Sequence, residues 1–172
     1  RSEVSGYVVT GEVDTPVSTA GMWGDLGKPK FEAGEFRAFN DDLVLLAARD
    51  RHRVWAAGGD RPAFRDPYGY TAGAPVRVHL LCSNFGPQRG MACLTWEVGP
   101  PGGVPLAAGE GLARLRRGRV QQIGLAEFTT PPIDRTARLS LRVRLAVGGQ
   151  SYANEWPLWI YPADPWAGAP RF

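Results

Sequence analysis

The side chains able to do chemistry in this chain are few and scattered. His52 and His79 are its two histidines. Neither belongs to a cluster of cysteine, histidine and carboxylate residues at ligand spacing, so no metal centre is expected. No serine or cysteine sits beside a placed base, as nucleophilic catalysis requires. Glu12 and Asp14 lie two apart on a stretch of β-branched and aromatic residues, so they share one face. Paired carboxylates are the equipment of glycoside hydrolysis. A strand end also uses them to order the adjoining loop. Glu155, beside Trp156, is expected to pair with an arginine or to hydrogen-bond a neighbouring loop. The chain alone reads as non-enzymatic and without a cofactor.

The aromatic residues offer more. There are six tryptophans and seven phenylalanines among 172 residues, and they need a packed core, a partner or a flat-ring ligand to cover them. The densest cluster is Asn154-Glu155-Trp156-Pro157-Leu158-Trp159-Ile160-Tyr161-Pro162. Read as a strand, it puts Asn154, Trp156, Leu158 and Ile160 on one face and Glu155, Pro157, Trp159 and Tyr161 on the other. One face must be core. The second then presents Trp159 and Tyr161 to another domain or to a sugar ring. Trp96 is expected in the core. Trp23, in a loop with no useful periodicity, is expected in local packing or on a surface shared with a neighbouring domain or a substrate. Trp55 and Trp166 suggest nothing specific.

The elements that must carry these residues are short. Glycine (22) and proline (15) exceed a fifth of the chain, which argues against long helices. Residues 6–14 read as a strand and 15–31 as a loop too long to be idle. Glu32 to Asn40 has the spacing of one short helix. The apolar runs Leu43–Ala48 and Val54–Ala57 flank a polar stretch, as in a hairpin or a strand and its exit. From Val76 onward, apolar alternation recurs with turn residues between the runs: 76–83, 91–98, 106–115, 119–128, 138–147 and the final strand from Tyr152. This is the pattern of an all-β protein, an immunoglobulin-like antiparallel β-sandwich with an N-terminal loop-rich extension. The expected boundaries are an extension over 1–57, a linker over 58–70 and a sandwich over 71–172.

Alternation also sends Cys82 inward and Cys93 outward on their strands, so two free thiols are expected rather than a disulfide. The net charge is +3 and the two signs are interspersed, so no polyanion footprint stands out. The run Arg114-Leu115-Arg116-Arg117-Gly118-Arg119 reads first as a hairpin turn on a solvated face and second as a phosphate patch. No apolar run is long enough to span a bilayer. Neither a nucleic acid nor a membrane is expected as a partner, and the compartment stays open.

Several of these stretches resemble a known family. Gly73-Ala74-Pro75-Val76 to Asn84, Leu94-Thr95-Trp96-Glu97, Gly118-Arg119-Val120-Gln121-Gln122-Ile123-Gly124 and the closing Asn-x-Trp-x-x-Trp-x-Tyr-Pro together resemble the immunoglobulin-like accessory domain that comes after the barrel in family 2 glycoside hydrolases of the β-galactosidase/β-glucuronidase type. Gly6-Tyr7-Val8-Val9-Thr10 with Asp14, Gly21 and Lys28-Pro29-Lys30 resembles the last barrel strand and the loop after it. The resemblance implies a sugar-processing parent whose two catalytic glutamates lie before Arg1, so this chain would be a fragment or processed piece and no catalytic residue carries over. It implies a catalytic barrel, or another chain of the same protein, as the partner, with carbohydrate as a second. Asp14 and Trp23 would then stand nearest a substrate, and Trp159 and Tyr161 at a domain interface or a sugar-stacking surface.

Overall fold

The computed structural model describes residues 11–50, 53–56, 59–62, 66 and 68–164. Within them the chain is all-β, two packed sheets and a small hairpin with one short helix. The elements are α1 (Ala33–Phe39), β1 (Leu43–Ala48), β2 (Arg53–Ala56), β3 (Gly59–Pro62), β4 (Gly69–Thr71), β5 (Pro75–Asn84), β6 (Gly90–Gly99), β7 (Ala107–Leu115), β8 (Arg119–Thr129), β9 (Ala137–Val147) and β10 (Gln150–Tyr161). The larger sheet has the order β4-β10-β9-β6-β7 and the smaller one β1-β5-β8. Among the described strands, β2 and β3 pair only with each other.

Period-two alternation decides which way each strand faces. On β9, Leu139, Leu141, Val143, Leu145 and Val147 are all buried, and Arg144 and Ala146 between them are exposed. Val76, Val78, Leu80 and Cys82 of β5 meet them from the small sheet, and Leu43 and Leu45 of β1 join the same cluster. Burying one such aliphatic side chain contributes about 1.5–3 kcal/mol. The core is therefore the glue between the sheets.

Trp96 points inward, as its strand pattern requires. Its indole lies over Gly109, its register partner on β7, so closely that a β-carbon there would stand 2.7 Å from the ring. A glycine inside a strand is there to admit that approach. On β10, Leu158 and Ile160 are buried and Trp156 packs against the core. Glu155, Trp159 and Tyr161 face outward and are exposed, as alternation requires.

Four features depart from the sequence reading. The sandwich does not begin at residue 71. β1, from the segment assigned to the extension, pairs antiparallel with β5 along its whole length, because its apolar residues have a core to enter only there. The stretch assigned to a linker carries β3 and the start of β4. β4 pairs with β10 in parallel, the one parallel ladder among the described strands. Finally, the Arg114–Arg119 run is not a hairpin turn. β7 lies at the edge of the large sheet and β8 at the edge of the small one, so the run is a corner between sheets. Each strand satisfies its backbone in its own sheet, against β6 or β5.

Both cysteines are free thiols, Cys82 buried and Cys93 exposed. Burial pushes the Cys82 thiol up to about 11. In the folded chain at neutral pH, a thiol reagent should label Cys93 readily and Cys82 only after denaturation, because the thiolate is the reacting species. Equal labelling rates, read by mass spectrometry, would contradict this packing.

Candidate functional site

The N-terminal arm, residues 11–42, is built almost without a core. None of its residues is buried. Short backbone contacts give it shape instead. Val13 bridges Trp23 in parallel and Trp23 bridges Pro29 in antiparallel fashion. The Trp23 amide donates to Glu12 O at 3.0 Å, and the Asp14 amide donates to Trp23 O at 2.8 Å. The structure therefore brings together the two residues expected nearest a substrate.

Their roles differ. The Asp14 carboxylate accepts from the Gly21 amide at 2.9 Å and from Lys30 Nζ at 2.7 Å. Lys30 also donates to Thr19 O at 2.7 Å. Asp14 is thus the knot of this arm, in keeping with a strand-end carboxylate that orders the adjoining loop. Glu12 is exposed and contributes its carbonyl. Trp23 keeps 42% of its surface exposed, Leu26 82% and Val17 95%.

The Lys30 hydrogen bond, helped by the Gly21 amide and against some desolvation, holds the Asp14 carboxyl below the ordinary aspartate range. A depressed carboxyl stabilises the ordered loop above its unfolded pKa, and that stabilisation fades as pH falls through the ordinary aspartate range toward the lowered value. Acidification should therefore loosen residues 11–31 before the sandwich. Amide exchange at Gly21 should rise as pH drops through that range, once corrected for intrinsic rates. In Asp14→Asn it should already be fast at neutral pH. An unchanged Gly21 rate in that variant would show that the loop does not hang on Asp14.

The arm ends in α1. The Glu32 amide donates to Glu35 Oε2 at 3.1 Å, and the Asn40 amide closes the last turn on Phe36 O at 3.0 Å. Phe31 stacks on Phe36, and Phe39 meets Phe36 edge-on, both at 5.1 Å between centroids. The helix is anchored by Asn154 of β10, whose Nδ2 donates to Ala38 O at 3.0 Å and to Leu45 O at 3.1 Å. Nothing in the sequence singles out Asn154 as a clamp; its inward register position is the only available signal.

The outer face of the large sheet carries the remaining candidates. Trp159 and Tyr161 keep 41% and 44% of their surfaces exposed. The Trp159 amide donates to Tyr68 O at 2.7 Å, and Tyr68 is exposed as well. Pro157 lies on the same face. Further along the strands, Glu97, Arg142 and Glu155 stand in one row across β6, β9 and β10. Arg142 Nε meets Glu97 Oε1 at 2.8 Å. A cleft of about 900 Å³ takes its lining from both sides of these strands, with Glu97, Arg142 and Glu155 on one side and Trp96, Val143 and Asn154 on the other, and Ala38 of α1 beside Asn154. On the small sheet, His79 faces outward between Asp50 Oδ1 at 2.5 Å and Gln122 Oε1 at 3.1 Å. It is a surface tie with no nucleophile among these partners. No group of three potential metal ligands occurs among the described residues. His52 and Trp166 lie outside them, as does most of the strand expected over residues 6–14.

A family model described as a domain of unknown function, DUF8488, matches residues 75–162. The chain belongs to the DUF8488 family. The match runs from the first residue of β5 to the residue after β10, so the DUF8488 region supplies six of the ten described strands. It contains Trp159, Tyr161 and Asn154. The arm, with Asp14 and Trp23, and the edge strands β1 and β4 precede it. No curated protein matches the chain.

Proposed function

We propose that this DUF8488 chain is a non-catalytic accessory domain of a glycoside hydrolase-like protein, which braces the catalytic barrel by docking against it. The observation that carries the reading is the arm. A segment that orders its backbone yet buries no side chain cannot repay its own conformational entropy, at about 1–2 kcal/mol per ordered residue. Val17, Trp23 and Leu26 are the surface through which a neighbour supplies the missing burial. The resemblance of residues 6–30 to a barrel's last strand and adjoining loop supports a catalytic barrel as that neighbour.

Limited proteolysis tests this. Digested alone, the chain should be cut within 11–42 while the sandwich survives. In the polypeptide that joins it to its barrel, the same sites should be protected. Equal cleavage in both contexts, or no barrel encoded before residue 1, would sink the reading. Aryl glycosides incubated with the chain alone should not be hydrolysed.

A second reading has its own observation, the exposed Trp159–Tyr161 pair on a flat sheet face. As an independent carbohydrate-binding module, the chain would stack a sugar on these rings. Titration with neutral oligosaccharides would then quench tryptophan fluorescence in the wild type and not in Trp159→Ala.

A further inference from the structure

The structure gathers arginines that the sequence keeps apart. The corner between β7 and β8 carries Arg114, Arg116, Arg117 and Arg119. The turn between β5 and β6 brings Arg89 to the same place, and Arg89, Arg114 and Arg116 line one cleft of about 690 Å³. All five side chains belong to exposed residues, and none of them forms an ion pair among the described residues. The two turns contain no acidic residue. Asp42 packs against Gly86 in the first turn but forms no ion pair with them. On the sheet faces Arg142 meets Glu97 and Arg77 meets Glu127. At this corner the like charges stand together without such a partner among the described residues.

The corner is also held in shape. Asn84, fully buried, donates from Nδ2 to Gln88 O at 2.7 Å in one turn and to Arg116 O at 3.3 Å in the other. The Gly118 amide returns to Asn84 O at 2.7 Å. Gln121 donates from Nε2 to Arg114 O and accepts from the Arg116 amide, both at 2.8 Å. Two amide side chains thus fix the backbone from which Arg89, Arg114 and Arg116 project. Such preorganisation lowers the cost of binding.

We infer that this corner binds an anionic oligosaccharide, one whose sugar units carry sulfate or carboxylate groups. Guanidinium forks match those oxyanions with two parallel hydrogen bonds. Phe85, 58% exposed in the same turn as Arg89, offers a flat ring for a sugar face. The five arginines form one compact cluster on a protein whose net charge is +3, unlike the extended stripe that tracks a nucleic-acid backbone. The choice of a glycan rests on the function proposed above; the oxyanion chemistry rests on the arginines alone.

Calorimetric titration of the full chain tests the site with three probes: a heparin-derived sulfated hexasaccharide, a neutral hexasaccharide and a short DNA duplex. The sulfated probe should bind, more weakly as salt rises, and the neutral probe should not bind at this corner. Arg89→Ala and Arg116→Ala should each weaken binding about tenfold, the loss of one charge-assisted contact. Arg135→Ala, in the loop at the opposite end of β8, should leave it unchanged. All three substitutions fall on exposed side chains, so an unchanged melting temperature separates lost binding from lost fold. No binding of the sulfated probe, equal loss in Arg135→Ala, or tighter binding of the duplex would overturn the inference. The proteolysis result concerns residues 11–42, so failure of the bracing role and failure of this site show up in different experiments.

Discussion

Leu141→Ala is expected to lower the free energy of unfolding by about 2–5 kcal/mol, the range for emptying a buried leucine site. Leu141 is 0% exposed. It sits in β9, hydrogen-bonded on one side to β6 and on the other to β10, with Val98 and Trp156 as its register partners. A strand held on both sides cannot shift inward to fill the space. The small sheet packs across the same core and is held in turn by its own ladders. The cavity should therefore persist, which places the cost in the upper part of the range. Urea denaturation measures it, with an unchanged slope confirming that the unfolded state is not what moved. Leu112→Ala on the exposed face should stay within about 0.5 kcal/mol. A loss below about 1 kcal/mol for Leu141→Ala would mean that this core relaxes more freely than its hydrogen bonding implies.

Asn154→Ala should cost about 1–3 kcal/mol, the penalty for orphaning sheltered carbonyls. One amide nitrogen satisfies two acceptors from different elements, Ala38 O at the end of α1 and Leu45 O on β1. Alanine leaves both without that donor. Asn154→Asp should be worse, since a carboxylate would then face two carbonyl oxygens. The loss should also be local. Amides of α1 should exchange faster in both variants, while those of β9, two-sided in the large sheet, keep their protection. Uniform loss across the chain would show that Asn154 supports the sandwich as a whole and not the arm's attachment to it.

Much of this architecture is legible in the residues. Wherever a strand has one buried face, alternation names that face. It places Leu139, Leu141, Val143, Leu145 and Val147 inward, sets Cys82 and Cys93 on opposite faces, and separates Trp156 from Trp159. The turn residues place the six strands from β5 to β10. The helical spacing over Glu32 to Asn40 locates α1. Pairing is not legible, because it depends on residues distant in sequence. Leu43–Ala48 is a plain apolar run, and nothing in it names β5 as its neighbour. Gly69–Thr71 is too short to show a period, so β4 reads as linker. The Arg114–Arg119 corner resembles a hairpin turn because a glycine at φ 76° serves either geometry. Of the candidate site, the exposed aromatics are readable and the hydrogen bonding is not. Asp14 acts through Gly21 and Lys30, and Arg89 reaches its companions only once two turns are folded side by side.

The parallel pairing of β4 with β10 also has a bearing on how the protein is made. The ribosome delivers β1 and β4 before β5 to β10, and the partner that closes β4 comes out last among the strands described. At roughly 5–20 residues per second, on the order of ten seconds pass between them. During that interval Tyr70, buried in the finished sandwich, has no β10 to pair beside it. β1 waits less, since β5 emerges soon after β4. The small sheet can therefore begin to assemble on the growing chain, while the large sheet stays open at this edge until the closing strand arrives. A nascent chain halted before β10 would carry that open edge into contact with its neighbours on the same message.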